Sequence, residues 1–342
     1  MSESSADTIT HDVLHLERTI RVPPTVSAHA QAVIAAGQAM VVDRLANPAV
    51  SPPLDDAAAW RAHIAAMDEA IMTGFAASAL DIPATVEARE IAGVHVNVVT
   101  PDAVDAAGDA GDDSVIQLDI HGGALVAGGG EACKLMNTST AARAGLVTWG
   151  VDYRMPPDHP YPTPLDDCVA VYRALLDMRP PERIVVGGGS AGGNLVAAML
   201  LRARDEGLPM PAALALFTPE IDLTESGDSF DTNAGIDYVL VARLTDSIAL
   251  YAGDHDLTDP YLSPIFGDVT GFPPTFVQAG TRDLFLSNAV RFHRKLRDAG
   301  VDAELHVWEA MPHGGFFGAP EDAEMAAELR RFLSKHGLRA HV

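Results

Sequence analysis

The stretch VVGGGSAGGN, residues 185–194, decides the fold. One serine, Ser190, stands among five glycines, behind two apolar β-formers. Three readings compete. Gly187, Gly189 and Gly192 spell G-x-G-x-x-G, the pyrophosphate cradle of a dinucleotide fold. Gly188, Ser190 and Gly192 spell G-x-S-x-G, the strand-to-helix elbow that presents a nucleophilic serine. The third reading is a structural glycine turn. The stretch alone does not choose among them, so its surroundings must.

Composition narrows the field first. The chain has 342 residues, suited to one α/β domain with an attached cap. Apolar residues make up 48%, enough for a large core. With 23 basic and 47 acidic residues the formal net charge is −24. Nucleic acid and anionic membranes both need basic surface, so neither is an expected partner. Neutral or cationic small molecules suit the charge better. Cys133 and Cys168 lack C-x-x-C spacing and nearby histidines, and read as free buried thiols. That fits a reducing compartment and a cytoplasmic protein. The start, MSESSADTITHDV, lacks a basic and then apolar leader pattern. No apolar run is long enough for a membrane span.

The chain divides by pattern. Residues 1–20 are polar. Two amphipathic helices are expected at 28–46, with Ser27 as N-cap, and at 55–75. From about residue 84 short apolar strands alternate with helices, the signature of a mostly parallel sheet covered on both faces. VEAREI and VHVNVVT read as a hairpin, and AVDAAGDAGDDS (103–114) as an exposed acidic loop. Residues 222–262 interrupt the alternation. The resulting division is a helical cap segment over 1–80 and a catalytic domain over 81–342, with 222–262 contributing to the cap.

In open α/β sheets the chemistry sits at the carboxyl ends of the strands. There the chain places His121-Gly122-Gly123-Ala124, then Ser190, Glu220, Asp283 and His313. The chain order Ser, acid, His is that of an α/β-hydrolase triad. Ser190 needs a base to become a nucleophile, and His313 can be that base. A buried carboxylate would hold the imidazole tautomer. The small neighbours Gly188 and Gly192 allow the tight elbow. The nucleotide reading wants an acid about 20 residues past its glycines. It leaves HGGA, Asp283 and His313 unexplained. No H-E-x-x-H pattern or carboxylate–histidine cluster appears, so neither metal nor cofactor is expected.

From about residue 20 onward the chain resembles the hormone-sensitive-lipase family of α/β-hydrolase esterases. HGGA resembles that family's H-G-G-G, and GGSAGGN its G-D-S-A-G-G-N. VDYRMPPDHPYPTPLDD (151–167), DPYLSP (259–264), GTRDLFLS (280–287) and MPHGGF (311–316) match its further motifs. The segments TIRVPPTVS and GTRDLFLS look most like a bacterial branch with lactone hydrolases and herbicide-ester esterases. The resemblance implies a mostly parallel eight-stranded sheet with helices on both faces and a helical cap. It implies Ser190 as nucleophile, His313 as base and Asp283 as acid. Gly122, Gly123, Ala124 and Ala191 would form the oxyanion hole, with His121 as structural support. The substrate would be a small carboxylic ester with a short to medium acyl chain or small bulky groups. A homodimer is the assembly it allows. A lactonase or amidase would use the same triad, and a non-catalytic small-molecule binder could share the fold.

Three departures stand out. Ala124 replaces a glycine, Gly189 replaces the aspartate before the nucleophile, and Glu220 replaces a tryptophan. In the wider fold the triad acid sometimes follows the sixth strand, so Glu220 is the alternative partner for His313. Met67, Met72 and Phe75 could line an acyl pocket if the N-terminal helices form a lid, with Tyr238 and Tyr251 as further wall candidates. Arg154 is expected to pair with Asp166 or Asp167.

Overall fold

Period-2 patterning sorts the sheet residues into two cores. In the computed structural model, which describes residues 19–77, 82–106 and 114–338, eight strands form one sheet. They are β1 (Ala84–Ile91), β2 (Val94–Pro101), β3 (Ile116–Ile120), β4 (Val147–Asp152), β5 (Ile184–Gly189), β6 (Ala213–Phe217), β7 (Thr275–Gly280) and β8 (Ala303–Trp308). Their spatial order is β1-β2-β4-β3-β5-β6-β7-β8. β1 and β2 form the expected hairpin, and β2 runs antiparallel to β4. The remaining neighbours are parallel. Ala92 and Gly93 close the hairpin, both at positive φ, the geometry of a two-residue turn that follows the strand twist.

On β5 and β6, Val186, Leu214 and Leu216 enter one core, while Val185, Ala213 and Ala215 enter the other. Successive side chains of a strand point to opposite faces, so each strand is apolar throughout. The helices that cover these faces are α1 (Ala28–Ala46), α2 (Ala57–Ala77), α3 (Asp102–Ala106), α4 (Glu131–Ala144), α5 (Thr163–Met178), α6 (Ala191–Asp205), α7 (Ser229–Thr232), α8 (Thr245–Ala252), α9 (Leu286–Asp298) and α10 (Pro320–Lys335). The first core joins the sheet to α5, α6 and α9. The second joins it to α1 and α10.

The N-terminal helix begins as expected, with the Ser27 hydroxyl accepting from the Ala30 amide. Glu321 on α10 in turn accepts from the Ser27 amide and hydroxyl. Val26, Ala30, Ile34 and Val41 bury one stripe of this segment. At Gly37 the stripe meets the Tyr238 ring so closely that an added Cβ would lie 2.3 Å from it. Part of the expected acidic loop is α3, while residues 107–113 lie outside the described residues, as do residues 1–18 and the Phe75 side chain. Arg154 takes Asp167 rather than Asp166, through two guanidinium contacts of 3.0 and 2.7 Å. Asp166 pairs with Arg202 instead. Cys133 and Cys168 are free and buried.

Candidate active site

The glycine stretch is a strand–turn–helix. Ser190 links β5 to α6 at φ 56° and ψ −126°. A non-glycine residue rarely holds a positive φ, so the fold must impose it. The imposition is visible in the neighbours. The Ser190 amide donates to the Phe217 carbonyl, and the Ser190 carbonyl accepts from Gly193 and Glu220. A Cβ on Gly192 would stand 1.9 Å from the Ile120 oxygen, and one on Gly188 would stand 2.5 Å from Gly192. These glycines let β3, β5 and the start of α6 meet. Gly189 is different, because a Cβ there would meet only ordinary contacts at 3.6 Å or more.

Sheet order brings the other candidates to the same edge. β3, β5, β6, β7 and β8 are successive neighbours, and their carboxyl ends carry HGGA, Ser190, Glu220, Asp283 and His313. Gly122 lies directly on the serine, where an added Cβ would sit 3.1 Å from the Ser190 Cβ. Beyond it the chain turns through φ 130° at Gly123, 55° at Ala124 and 66° at Leu125. The Gly123 carbonyl accepts from Val126 and Ala127. Among the described residues the amides of Gly123, Ala124 and Ala191 donate to no protein acceptor. Ala191 opens α6, where the helix dipole favours negative charge.

His121 braces this turn. Its Nδ1 donates to the Gly122 carbonyl at 2.8 Å, and its ring stacks on Tyr153 at 4.2 Å between centroids. Burial pushes its pKa below the ordinary histidine value, so the ring is neutral. Asp68 on α2 accepts from the Gly128 amide at 2.6 Å and ties the N-terminal helices to the same loop. The sequence carried no sign of this contact, since Asp68 lies beside half-buried Met67 on an ordinary amphipathic helix.

His313 and Asp283 face each other, Nδ1 to Oδ1 at 3.0 Å, both buried. A carboxylate has no proton to give, so Nδ1 carries it and Nε2 is left as the basic nitrogen. Burial alone would lower the His313 pKa, but the charge and hydrogen bond of Asp283, helped by Asp237, raise it above the ordinary value. The Phe285 ring stands edge-on to the imidazole at 4.9 Å. Phe285 also donates its amide to Asp283 Oδ1 at 2.9 Å.

Glu220 is not brought to His313. Its carboxyl is buried and both oxygens lack a hydrogen-bond partner among the described residues, backbone or arginine included. Burial, and then the charge of Glu225, push its pKa up to about 8. Only its backbone joins the site, through the Ser190 carbonyl and through Asn194, whose amide nitrogen donates to the Glu220 carbonyl at 2.8 Å. Tyr251 is fully buried and edge-on to Tyr161, and Tyr238 packs on Gly37, so both serve packing.

Among the described residues two groups of side chains have metal-compatible spacing: His121 with Cys133 and Asp152, and Asp237 with Asp283 and His313. In the first, the Cys133 thiol donates to Asn137 at 3.0 Å. Burial and two carboxylates push that thiol's pKa up, which keeps its proton on. In the second, the carboxylates already serve hydrogen bonds.

Residues 117–317 match the family described as alpha/beta hydrolase fold. An esterase from Acinetobacter venetianus is 35% identical over 226 residues, 63% of this chain and 73% of its own. The carboxylic ester hydrolase LipN of Mycobacterium tuberculosis is 26% identical over 352 residues, 92% of this chain and 91% of its own. The crystal structure of an esterase, E25, superimposes with a TM-score of 0.85 at 36% identity, covering 95% of this chain and 98% of that one. An esterase from the bacterial hormone-sensitive lipase family does so at 0.76 and 33% identity, covering 89% and 98%. The chain is a carboxylic-ester hydrolase of the hormone-sensitive-lipase family, built on the α/β-hydrolase fold.

Proposed function

We propose that Ser190, His313 and Asp283 hydrolyse small carboxylic esters through an acyl-enzyme. His313 Nε2 takes the Ser190 proton as Oγ attacks the ester carbonyl carbon. The tetrahedral oxyanion is held by the amides of Gly123, Ala124 and Ala191, on the turn that Gly122 begins. His313 then protonates the leaving alcohol. Water, deprotonated by the same nitrogen, releases the acid and restores the serine. Asp283 holds the Nδ1 proton and stabilises the imidazolium. The observation that carries this reading is the serine at φ 56°, packed on a glycine turn in which, among the described residues, the amides of Gly123 and Ala124 donate to no protein acceptor. Each oxyanion donor is worth about 2.7–4 kcal/mol in the transition state.

In this reading residues 1–80 form a cap segment, residues 81–342 the catalytic domain, and 222–262 add to the cap. The preferred esters have short to medium acyl chains or small bulky groups. A panel of p-nitrophenyl esters, bulkier esters and lactones tests this, and lactones as the best substrates would move the protein to the lactone-hydrolase branch. The two free buried thiols support a cytoplasmic location. No helix among the described residues is long and apolar enough to cross a membrane. Sedimentation velocity tests the homodimer.

A serine-directed phosphonate should label the protein and fail to label Ser190→Ala. Asp283→Asn should lower kcat by about 10⁴, while Glu220→Gln keeps most activity. The reverse pattern would move the triad acid to Glu220. The pH dependence has a definite sign. His313 works as a base only when neutral, and its pKa is raised. The acidic limb of kcat/KM should therefore lie above the ordinary histidine value of about 6.5.

A further inference from the structure

A second carboxylate stands behind the His313–Asp283 pair. Asp237 comes from the insertion between β6 and β7 and is fully buried. Its Oδ2 accepts from the Leu284 amide at 2.9 Å and from the His313 amide at 3.2 Å. Its Oδ1 accepts from the amides of Val239 and Leu240 at 2.9 and 3.1 Å. One side chain thus fastens three segments: the insertion, the loop bearing the triad acid and the loop bearing the base. Nearby, Asn233 of the same insertion donates to the Asp283 carbonyl at 2.9 Å.

We propose that Asp237 is a positioning residue for the triad, setting the placement of His313 against Asp283 through the backbone of the acid and base loops. It touches no reacting atom. The proposal rests on the Ser190–His313–Asp283 reading above. The charged and titratable groups around Asp237 are Asp283 and His313, with Tyr238 adjacent, Arg282 and Asp322 beside Tyr238, and Arg44 of α1, whose guanidinium donates to the Tyr238 carbonyl at 3.1 Å. Burial, and then the charge of Asp283, push the Asp237 pKa up to about 6, so it is ionised where an esterase of raised His313 pKa works. Its negative charge in turn favours the protonated imidazole.

The test is Asp237→Asn. An asparagine has one acceptor oxygen, so one pair of backbone amides would face its NH₂ group. Displacing a catalytic group by a fraction of an ångström to an ångström costs up to about 100-fold. Asp237→Asn should lower kcat about 10- to 100-fold with KM little changed. Loss of the negative charge should also shift the acidic limb of kcat/KM to lower pH, a change that mere loosening of the fold does not produce. A folded variant with wild-type kcat and an unmoved limb overturns the proposal. If the variant does not fold, hydrogen exchange in the wild-type protein decides. Slow exchange of the Leu284 and His313 amides supports the proposal, and exchange at the rate of an exposed loop overturns it. Failure of the triad reading looks different: wild-type protein would not react with the phosphonate at all.

Discussion

Glu220 is a carboxyl group whose fold keeps its proton on. Its pKa rises from 4.5 to about 8 because burial disfavours the ion. The folded state therefore binds a proton that the unfolded state releases between those values. The stability tied to that proton is complete below pH 4.5 and is lost as pH climbs toward 8. The slope is about 1.4 kcal/mol per pH unit in this window. Glu220→Gln should flatten that fall, and urea unfolding at pH 5 and pH 8 measures it. An equal pH dependence in both proteins would mean Glu220 is ionised in the fold. Ala124 offers a second residue-level prediction. It sits at φ 55°, where a Cβ costs about 1–2 kcal/mol. Ala124→Gly keeps the amide donor and should gain up to about 1 kcal/mol by thermal unfolding, with kcat unchanged, because glycine's looser unfolded chain offsets part of the relief. Ser190, Asp283 and His313 could be grouped from the sequence by their types, order and flanking glycines, and the structure sets Asp283 against His313. The burial of the Glu220 carboxyl could not be read from the sequence, since burial is a tertiary fact. Asp237 had no motif around it and acts only through backbone amides that sequence does not display.

At the scale of elements, the sheet was readable almost strand by strand. β7 follows TFVQAG, and on β5 and β6 the two apolar faces call for apolar residues at successive positions. α1 spans 28–46 as the Ser27 cap suggests. Boundaries moved by a few residues elsewhere, as at α2, where fraying ends and caps compete. What the pattern could not show is which helix touches which loop. Among the described residues α2 reaches the turn after β3 through the Asp68 carboxylate on the Gly128 amide. Asp68 is half-buried, so its hydrogen bond is partly screened and is worth about 1 kcal/mol. Asp68→Ala should destabilise the protein by that amount and lower kcat several-fold, because the turn carrying Gly123 and Ala124 loses an anchor. Thermal melts and steady-state kinetics measure both. A variant with lower Tm but wild-type kcat would show that α2 supports the fold and leaves the oxyanion turn untouched.

At the scale of the whole molecule, the net charge of −24 acts on substrates before any contact is made. A field of one sign raises the local concentration of opposite charge and depletes its own. Nothing in the chemistry of Ser190 depends on the charge of a distant substituent, so the discrimination should appear in encounter and binding. It should also be screened, since the Debye length falls from about 30 Å at 0.01 M salt to about 3 Å at 1 M. The comparison needs three esters of one acyl chain and similar size, whose alcohol portions end in a carboxylate, a neutral amide or a quaternary ammonium. At low salt kcat/KM should rank ammonium above amide above carboxylate. The spread should narrow toward the neutral ester as salt rises, with kcat at saturation changing much less than kcat/KM. A ranking that survives 1 M salt would assign the discrimination to contacts inside the pocket. No ranking at low salt would mean that the acidic residues lie too far from the approach to Ser190 to be felt there.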